Sequence, residues 1–259
     1  MTFKEEEFVV LVDKQGKRYL RRLRKGGRFH SHRGYIEHAR IIGSPPGSVI
    51  ASSTGEEFCV FHPTLIDYTM KMPRKSGIIY PKDTGIILVW ADLFPGAEVL
   101  LGGVGTGALL LAVVRQVGPR GRIVAYDVRE DMLECAARNV RNCLGETPNL
   151  TLRLGSVYEA IEERGFQRAL LDVPEPWKAI DPICEALLPG GIVCAYLPSI
   201  TQADAFVSAL KERGSFTLIE TMEVLLRDWH LTGRSVRPSH RMVGHTGFLI
   251  FARKINRQF

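Results

Sequence analysis

The chain has 259 residues, of which 45% are hydrophobic and 24% are charged. This length and composition can bury a full core, and they fit one large domain or two unequal ones. The longest apolar runs, such as ALLLAVV and GFLIFA, are far shorter than the roughly 20 residues of a membrane-spanning helix. The first residues, MTFKEEEFVV, also lack the basic and apolar regions of a secretory signal.

The five cysteines are odd in number, and none forms a CxxC pair. Neither a disulfide framework nor a zinc site is therefore predicted. His30 and His32 have no acidic or cysteine partner in ligand spacing, so we expect no metal site. The cysteine usage favours a reducing compartment, the cytoplasm.

The net charge of +6 is unevenly distributed along the chain. Residues 14–33 contain nine Lys or Arg and no acid. A basic face of this density suits a polyanion. It is equally compatible with solvated edge strands whose charges oppose aggregation, and the charge pattern alone leaves both interpretations open.

In chain order, residues 1–65 consist of short β-type segments separated by the turn signals KQG, KGG, SPPG and STG. This pattern predicts a small antiparallel β domain. Residues 66–85 mix Pro, Gly and basic residues and are interpreted as a connector. The connector carries the unusual sequence YPKD at residues 80–83.

From residue 86 to residue 259, strand and helix patterns alternate, beginning with the strand EVLLG and the helix ALLLAVVRQV. The alternation predicts a parallel sheet with right-handed crossovers and a ligand at the carboxyl ends of its strands. Two final β runs, FTLIETMEVLL and GHTGFLIFARK, are joined only by the polar loop 227–243. We expect these two strands to pair antiparallel at one edge of the sheet.

The glycine-rich loop GVGTG, residues 103–107, separates the first of these strands from its helix. Glycines let a ligand approach bare backbone, and Asp127, 20 residues after Gly107, could bind ribose hydroxyls. The loop alone does not exclude a nicotinamide-binding protein, because Ala108 can replace the third glycine of that motif. Tight packing between strand and helix would also explain the glycines. The antiparallel strand pair favours S-adenosylmethionine.

Seven segments occur in an order and spacing that resemble the tRNA (adenine-N1) methyltransferase family, which methylates the T-loop adenine at position 58. The resemblance spans nearly the whole chain. The segments are FHSHRG (29–34), YPKD (80–83), GVGTG (103–107), AYDVRED (125–131), LLDVPEPW (170–177), AYLPSITQ (195–202) and VGHTGFL (243–249).

The resemblance implies a Rossmann-like class I methyltransferase sheet with an antiparallel C-terminal strand pair in residues 86–259. It assigns tRNA binding and oligomer contacts to the small N-terminal β domain. S-adenosylmethionine is the implied cofactor and tRNA the implied partner, in a homotetramer with neither a metal nor a membrane. The implied cofactor-binding residues are Gly103, Val104, Gly105, Thr106, Gly107, Asp127, Val128, Ser156, Val157 and Asp172.

Asp172 matches the catalytic aspartate of the family. N1 of neutral adenine carries a lone pair, so the enzyme must mainly align the base and needs no strong base of its own. A carboxylate that accepts from the exocyclic amine would hold adenine and stabilise the positive charge that develops. Tyr80, within YPKD, is also predicted to be catalytic, beside the cofactor and the entering base. Helix capping by Asp172 and simple packing by Tyr80 are the alternative explanations.

Substrate binding is expected from two regions. His245 and Thr246 match the family's GHT segment near the site. The basic face would bind tRNA phosphates through Arg21, Arg22 and Arg24 while the target base is extruded from its loop.

Two positions depart from the family pattern. Leu101 replaces a glutamate that helps to position the methionine end of the cofactor, and Ser156 replaces an acid near its adenine. Both departures predict weaker or altered cofactor binding. They motivate an alternative function, a non-catalytic tRNA-binding paralogue or subunit that has kept the fold.

Overall fold

A computed structural model describes residues 2–159 and 161–256. The chain divides into two compact units, with the boundary between Pro73 and Arg74. Residues 1, 160 and 257–259, which belong to the predicted domains, lie outside the described residues.

The first unit is a small β structure followed by one helix. Four strands form an antiparallel sheet in the order β2-β1-β6-β5, and β3 and β4 form a separate hairpin. Phe29 and Phe58 meet edge to face in its buried core, with ring centres 5.5 Å apart. The elements are β1 (Phe8–Asp13), β2 (Arg18–Arg22), β3 (Arg28–Ser31), β4 (Gly34–Glu37), β5 (Val49–Ala51), β6 (Glu57–Phe61) and α1 (Leu65–Lys71).

The second unit is built around a seven-stranded sheet in the order β12-β15-β11-β10-β7-β8-β9. Its elements are α2 (Pro81–Trp90), β7 (Glu98–Gly102), α3 (Ala108–Val117), β8 (Arg122–Asp127), α4 (Glu130–Leu144), β9 (Leu150–Leu154), β10 (Phe166–Leu171), α5 (Ile180–Ala186), β11 (Leu187–Leu197), α6 (Ile200–Arg213), β12 (Phe216–Glu223), β13 (Trp229–Thr232), β14 (Ser235–Pro238) and β15 (Phe248–Lys254).

Strands β7 to β11 pair in parallel, whereas β15 lies between β11 and β12 and pairs antiparallel with both. This arrangement confirms the predicted parallel sheet with an antiparallel C-terminal pair. The inner strands are continuous apolar runs because both of their faces are buried beneath helices. The strand order reverses on either side of β7, and in such sheets the ligand site lies at that reversal.

Two segments differ from their sequence interpretation. The predicted connector, 66–85, contains α1, which completes the first unit, and the first turn of α2 in the second unit. The predicted polar loop, 227–243, contains the β-hairpin β13–β14. The hairpin has little burial, so no apolar alternation marks it in the sequence. Among the described residues, no helix has the length and apolar character needed to span a membrane.

Candidate active site

A cleft of about 560 Å³ opens at the carboxyl ends of the central strands. This volume is within the range of pockets that bind small molecules. The loop after β7 forms one wall, and the residue that follows β10 lies beside it. The cleft brings together the predicted site residues Tyr80, Gly103, Val104, Gly105, Thr106, Asp127, Asp172 and Thr246.

At two positions of the loop, the neighbouring chain is so close that a side chain would not fit, so glycine is required there. A Cβ on Gly103, whose φ is +83°, would lie 2.1 Å from the carbonyl oxygen of Asp172. A Cβ on Gly107, with φ +89°, would lie 3.1 Å from Ala136 of α4. Gly107 lies outside the cleft lining, so for this residue the packing explanation applies.

Gly105 presents bare backbone to the cleft. Its φ is +52°, and the nearest atom to a Cβ there would be the Ser76 hydroxyl, at 3.2 Å. Asp127 shapes this part of the loop, because its Oδ2 accepts from the backbone N–H groups of Val104 at 3.0 Å and Gly105 at 2.9 Å. Its Oδ1 accepts from the N–H of Arg129 at 2.9 Å. The acid and the glycine loop therefore form one hydrogen-bonded unit.

A second cavity, of about 190 Å³, shares Gly103, Asp127 and Asp172 with the main cleft. Ser156 Oγ accepts from the backbone N–H of Tyr158 at 3.2 Å. Ser156, which replaces the acid of the family pattern, therefore closes a local turn at this cavity. The other predicted cofactor residues in its lining are Val128 and Val157.

Asp172 follows β10 and lies where the main cleft and the second cavity meet. Its side chain remains accessible through the open cleft, although protein surrounds it on its other sides. That desolvation, together with the nearby Asp127 carboxylate, raises the pKa of Asp172 to about 6. Both effects disfavour the charged form, and the group is still largely ionised at neutral pH.

Tyr80 and Thr246 line the cleft, whereas His245 does not. Tyr80 precedes the first turn of α2 and is 41% exposed. Both ring nitrogens of His245 face acceptors, the Pro198 carbonyl at 2.8 Å and Glu223 Oε1 at 2.5 Å. These two contacts raise the pKa of His245, and they hold its ring at a position outside the cleft lining.

Sequence reasoning assigned no role to several cleft residues. Tyr196 and Pro198 belong to the recognised segment AYLPSITQ, and they line the cleft. Burial and the charges of Asp83 and Asp172 raise the pKa of Tyr196 to about 12. Residues 76–79 line it as well, but their sequence, SGII, carries no signal for a site.

Leu101, where the family has glutamate, is only 1% exposed. It lies in β7 opposite Leu170 of β10 and Ala125 of β8. This residue is part of the core and is absent from the cleft lining. The replacement therefore fits a hydrophobic environment.

In the first unit, acids from elsewhere in the unit neutralise much of the basic segment 14–33. Arg21 and Arg24 are exposed and have no ion pair among the described residues, whereas Arg22 pairs with Glu6. Arg21 also stacks on Phe29, with its guanidinium carbon 5.2 Å from the ring centre. The other pairs are Lys14–Glu57, Arg18–Asp67, Arg28–Glu37, Arg33–Asp13 and Arg33–Glu56.

Comparisons with known proteins identify the family. A family model described as "tRNA methyltransferase complex GCD14 subunit" matches residues 57–237, and one described as "TrmI-like N-terminal" matches residues 2–50. A tRNA (adenine(58)-N(1))-methyltransferase TrmI of Thermus thermophilus is 38% identical over 247 residues, which cover 95% of this chain and 96% of that protein. The chain belongs to the tRNA (adenine-N1) methyltransferase family.

Solved methyltransferase structures show the same fold. A SAM-dependent O-methyltransferase from Thermotoga maritima has a TM-score of 0.95 at 33% identity, covering 100% of this chain and 96% of that chain. The tRNA (m1A58) methyltransferase TrmI from Aquifex aeolicus has a TM-score of 0.87 at 28% identity, covering 99% and 100% of the two chains. The predicted class I methyltransferase fold is confirmed.

The cleft of this methyltransferase fits S-adenosylmethionine. The open backbone at Gly105 and the carboxylate of Asp127 lie together on one wall. The second cavity extends the cleft beyond Asp127 and Asp172, which suits an elongated nucleoside ligand. Among the described residues, no group of three or more His, Cys, Asp or Glu is arranged to hold a metal ion.

Gly103 lies close to the backbone of Asp172. Gly103→Ala should therefore lower both the unfolding temperature and the affinity for S-adenosylmethionine, because the new Cβ would clash with the Asp172 carbonyl. Backbone strain and overpacking together should cost about 1–3 kcal/mol. Thermal unfolding and calorimetric titration with the cofactor measure the two effects.

Gly118→Ala is the matched control, because Gly118 also has positive φ, +64°, but nothing lies within 4 Å of a Cβ there. It should lower stability through strain alone and leave cofactor affinity unchanged. Equal cofactor affinities in the two variants would show that the approach of Gly103 to Asp172 is not needed for binding.

Proposed function

We propose that this chain transfers a methyl group from S-adenosylmethionine to N1 of adenine 58 in the tRNA T-loop. The observation that carries this proposal is the position of Asp172. The backbone of this acid packs against Gly103 of the glycine loop, and its charge lies near enough to Tyr196 to raise the pKa of that phenol. Tyr80 lines the same cleft. Such an arrangement can hold a cofactor on one side of the acid and a flat base on the other.

On the cofactor side, we assign the ribose hydroxyls to Asp127. Its carboxylate is already oriented by three backbone N–H groups. Gly103, Val104, Gly105 and Thr106 would border the methionine and ribose part of the ligand, and Val128, Ser156 and Val157 its adenine. Once bound, S-adenosylmethionine supplies an activated methyl group.

On the base side, the ionised Asp172 carboxylate accepts from the exocyclic amine of adenine. This hydrogen bond fixes the ring so that N1 faces the methyl donor at a near-attack distance. Positive charge appears on the ring as the methyl group arrives, and a carboxylate already in place stabilises that charge without reorganisation. Tyr80 provides a flat surface against which the extruded base can stack.

Phosphate binding is assigned to the first unit. The target base lies in a folded loop and must be extruded to reach a cleft of this kind, so contacts elsewhere on the tRNA have to hold the substrate. Arg21 and Arg24 are the favoured phosphate ligands, because Arg22 is engaged by Glu6. His245 acts as a brace for the cleft wall in this scheme, and Thr246 forms part of the wall.

The non-catalytic alternative depends on Leu101 and Ser156. Leu101 packs in the sheet core, and Ser156 is satisfied by a local turn. Neither replacement touches Asp172 or the hydrogen bonds between Asp127 and the glycine loop. We therefore favour the enzyme.

We also propose that the enzyme acts as a homotetramer in the cytoplasm. Large apolar side chains are exposed on α2, at Val89 and Trp90, and on the hairpin, at Trp229, Leu231 and Val236. Exposed apolar patches of this kind are typical of protein interfaces. The cysteines, none of which forms a disulfide among the described residues, suit a reducing compartment.

The function is tested by methyl transfer to an unmodified tRNA transcript. We expect one methyl group per tRNA, recovered as 1-methyladenosine at position 58, and no transfer when adenine 58 is replaced by guanosine. Nucleoside analysis by mass spectrometry identifies the product. A 2′-O-methylated nucleoside, or no transfer at saturating cofactor, would contradict the proposal.

The role of Asp172 predicts a specific pH dependence. A carboxyl group with a raised pKa is ionised above that pKa and protonated below it, so kcat/KM should fall about tenfold per pH unit below about pH 6. Asp172→Asn should lower kcat by roughly 10²- to 10³-fold and abolish this pH dependence. Calorimetry should show nearly normal cofactor binding in the variant, and equal turnover of variant and wild type would show that another group holds the base.

The basic face is tested by charge removal. Arg21→Gln together with Arg24→Gln should raise KM for tRNA and reduce the slope of log affinity against log salt by about 1.4 to 1.8, since each lost phosphate contact contributes about 0.7 to 0.9. Arg22→Gln is the control and should change the slope less, because Arg22 is paired with Glu6. An unaltered salt slope in the double variant would show that these arginines do not bind tRNA phosphates and serve solubility instead.

A further inference from the structure

The YPKD segment contains a buried ion pair whose purpose the proposed chemistry does not explain. The side chains of Lys82 and Asp83 are 9% and 0% exposed, and their charged atoms are 2.8 Å apart. Neither residue lines the cleft. A buried ion pair adds little net stability, because the cost of desolvating the two charges offsets much of their attraction. The pair can instead serve to fix the positions of the segments that it connects.

Lys82, Asp83 and Thr246 form a closed ring of hydrogen bonds. The ammonium of Lys82 donates to Asp83 Oδ1, to Thr246 Oγ1 at 2.6 Å and to the Val224 carbonyl at 2.6 Å. Thr246 Oγ1 in turn donates to Asp83 Oδ2 at 2.8 Å. All three ammonium hydrogens and the single hydroxyl hydrogen are thus used.

The ring connects three parts of the chain that are distant in sequence. Lys82 and Asp83 lie in the first turn of α2, Val224 follows β12, and Thr246 precedes β15. The loop that carries the hairpin β13–β14 therefore leaves and returns at this cluster. Hydrogen bonds have a preferred direction, whereas apolar contacts do not, so the ring fixes the relative positions of these backbone segments more closely than apolar packing would.

Thr246 connects the ring to the base side of the cleft. Its carbonyl accepts from Tyr196 Oη at 2.5 Å, and a Cβ on the following Gly247 would lie 2.5 Å from the Tyr196 ring. Tyr80, at the other end of the YPKD segment, lies two residues before Lys82. The ring therefore joins Tyr80 and Tyr196, the aromatic residues of the base-side wall.

We propose that Lys82 and Asp83 are positioning residues for methyl transfer, acting through Thr246 to set the spacing of Tyr80 and Tyr196 around the entering base. This inference rests on the proposed function. The cluster has no hydrogen bond to the glycine loop or to Asp127 among the contacts of its members. Its loss should therefore slow transfer while the cofactor binds normally.

The test is the neutral double variant Lys82→Met/Asp83→Asn, assayed on tRNA as the full chain. We expect kcat per cofactor-binding site to fall about 10- to 100-fold, the range for a small misplacement of reacting groups. The dissociation constant for S-adenosylmethionine should stay within about twofold of wild type, measured by calorimetry. An unchanged kcat, or a cofactor affinity that falls as much as kcat, would overturn the proposal.

Arg168→Met/Asp92→Asn is the matched control, because it removes another ion pair with a buried cation, 2.7 Å long, from residues outside the cleft lining. It should reduce the unfolding temperature and leave kcat unchanged. A loss of kcat in this control equal to that in the first variant would show a general effect of lost stability and overturn the positioning role.

Thr246 supplies a second pair of variants in case the double variant does not fold. Thr246→Val keeps the shape but removes the hydroxyl, and should lower kcat about as much as the double variant. Thr246→Ser keeps the hydroxyl and should retain kcat within about threefold, and equal activities in the two would overturn the proposal. The wild-type protein in the same assay separates the positioning role from the proposed function. If wild type does not methylate adenine 58, the proposed function itself is overturned.

Discussion

The active cleft depends on the close approach of two backbone segments at the point where the sheet order reverses. Gly103 after β7 and Asp172 after β10 are so near that a Cβ on the glycine would lie 2.1 Å from the aspartate carbonyl. Parallel strands bring their carboxyl ends to one edge of the sheet, and here the absence of a side chain lets these two ends meet. The cofactor wall and the acid can therefore share one cleft.

The two acids of the cleft have different environments, and this difference separates their proposed roles. Asp127, at the end of β8, is held by three backbone N–H groups, two of which belong to the glycine loop. Asp172 lines the same cleft, where desolvation and the charge of Asp127 raise its pKa to about 6. Burial makes the ionised form of such a carboxylate unfavourable. A neighbouring group that develops positive charge stabilises the ionised form, and an adenine ring that is being methylated is such a group.

Several polar contacts hold the chain around Thr246 at the cleft. His245 binds the Pro198 carbonyl and Glu223, and Thr246 binds Lys82, Asp83 and Tyr196. These directional bonds hold the chain just before β15, where the long, exposed loop that carries β13 and β14 ends. The substrate-binding role of His245 and Thr246 stays a prediction, and the contacts of both residues also hold this part of the chain in place.

The sequence by itself determined the alternation of strands and helices, the glycine loop with its acid, and the family, because period, spacing and motif order are properties of the linear chain. The tertiary structure decided which residues meet. Gly107 packs on α4 instead of lining the cleft, and Leu101 belongs to the core. Acids distant in sequence neutralise much of the basic segment, and Lys82 reaches Thr246, 164 positions away. Contacts between such distant positions depend on strand register and on the direction of individual side chains, and neither leaves a periodic signal in the sequence.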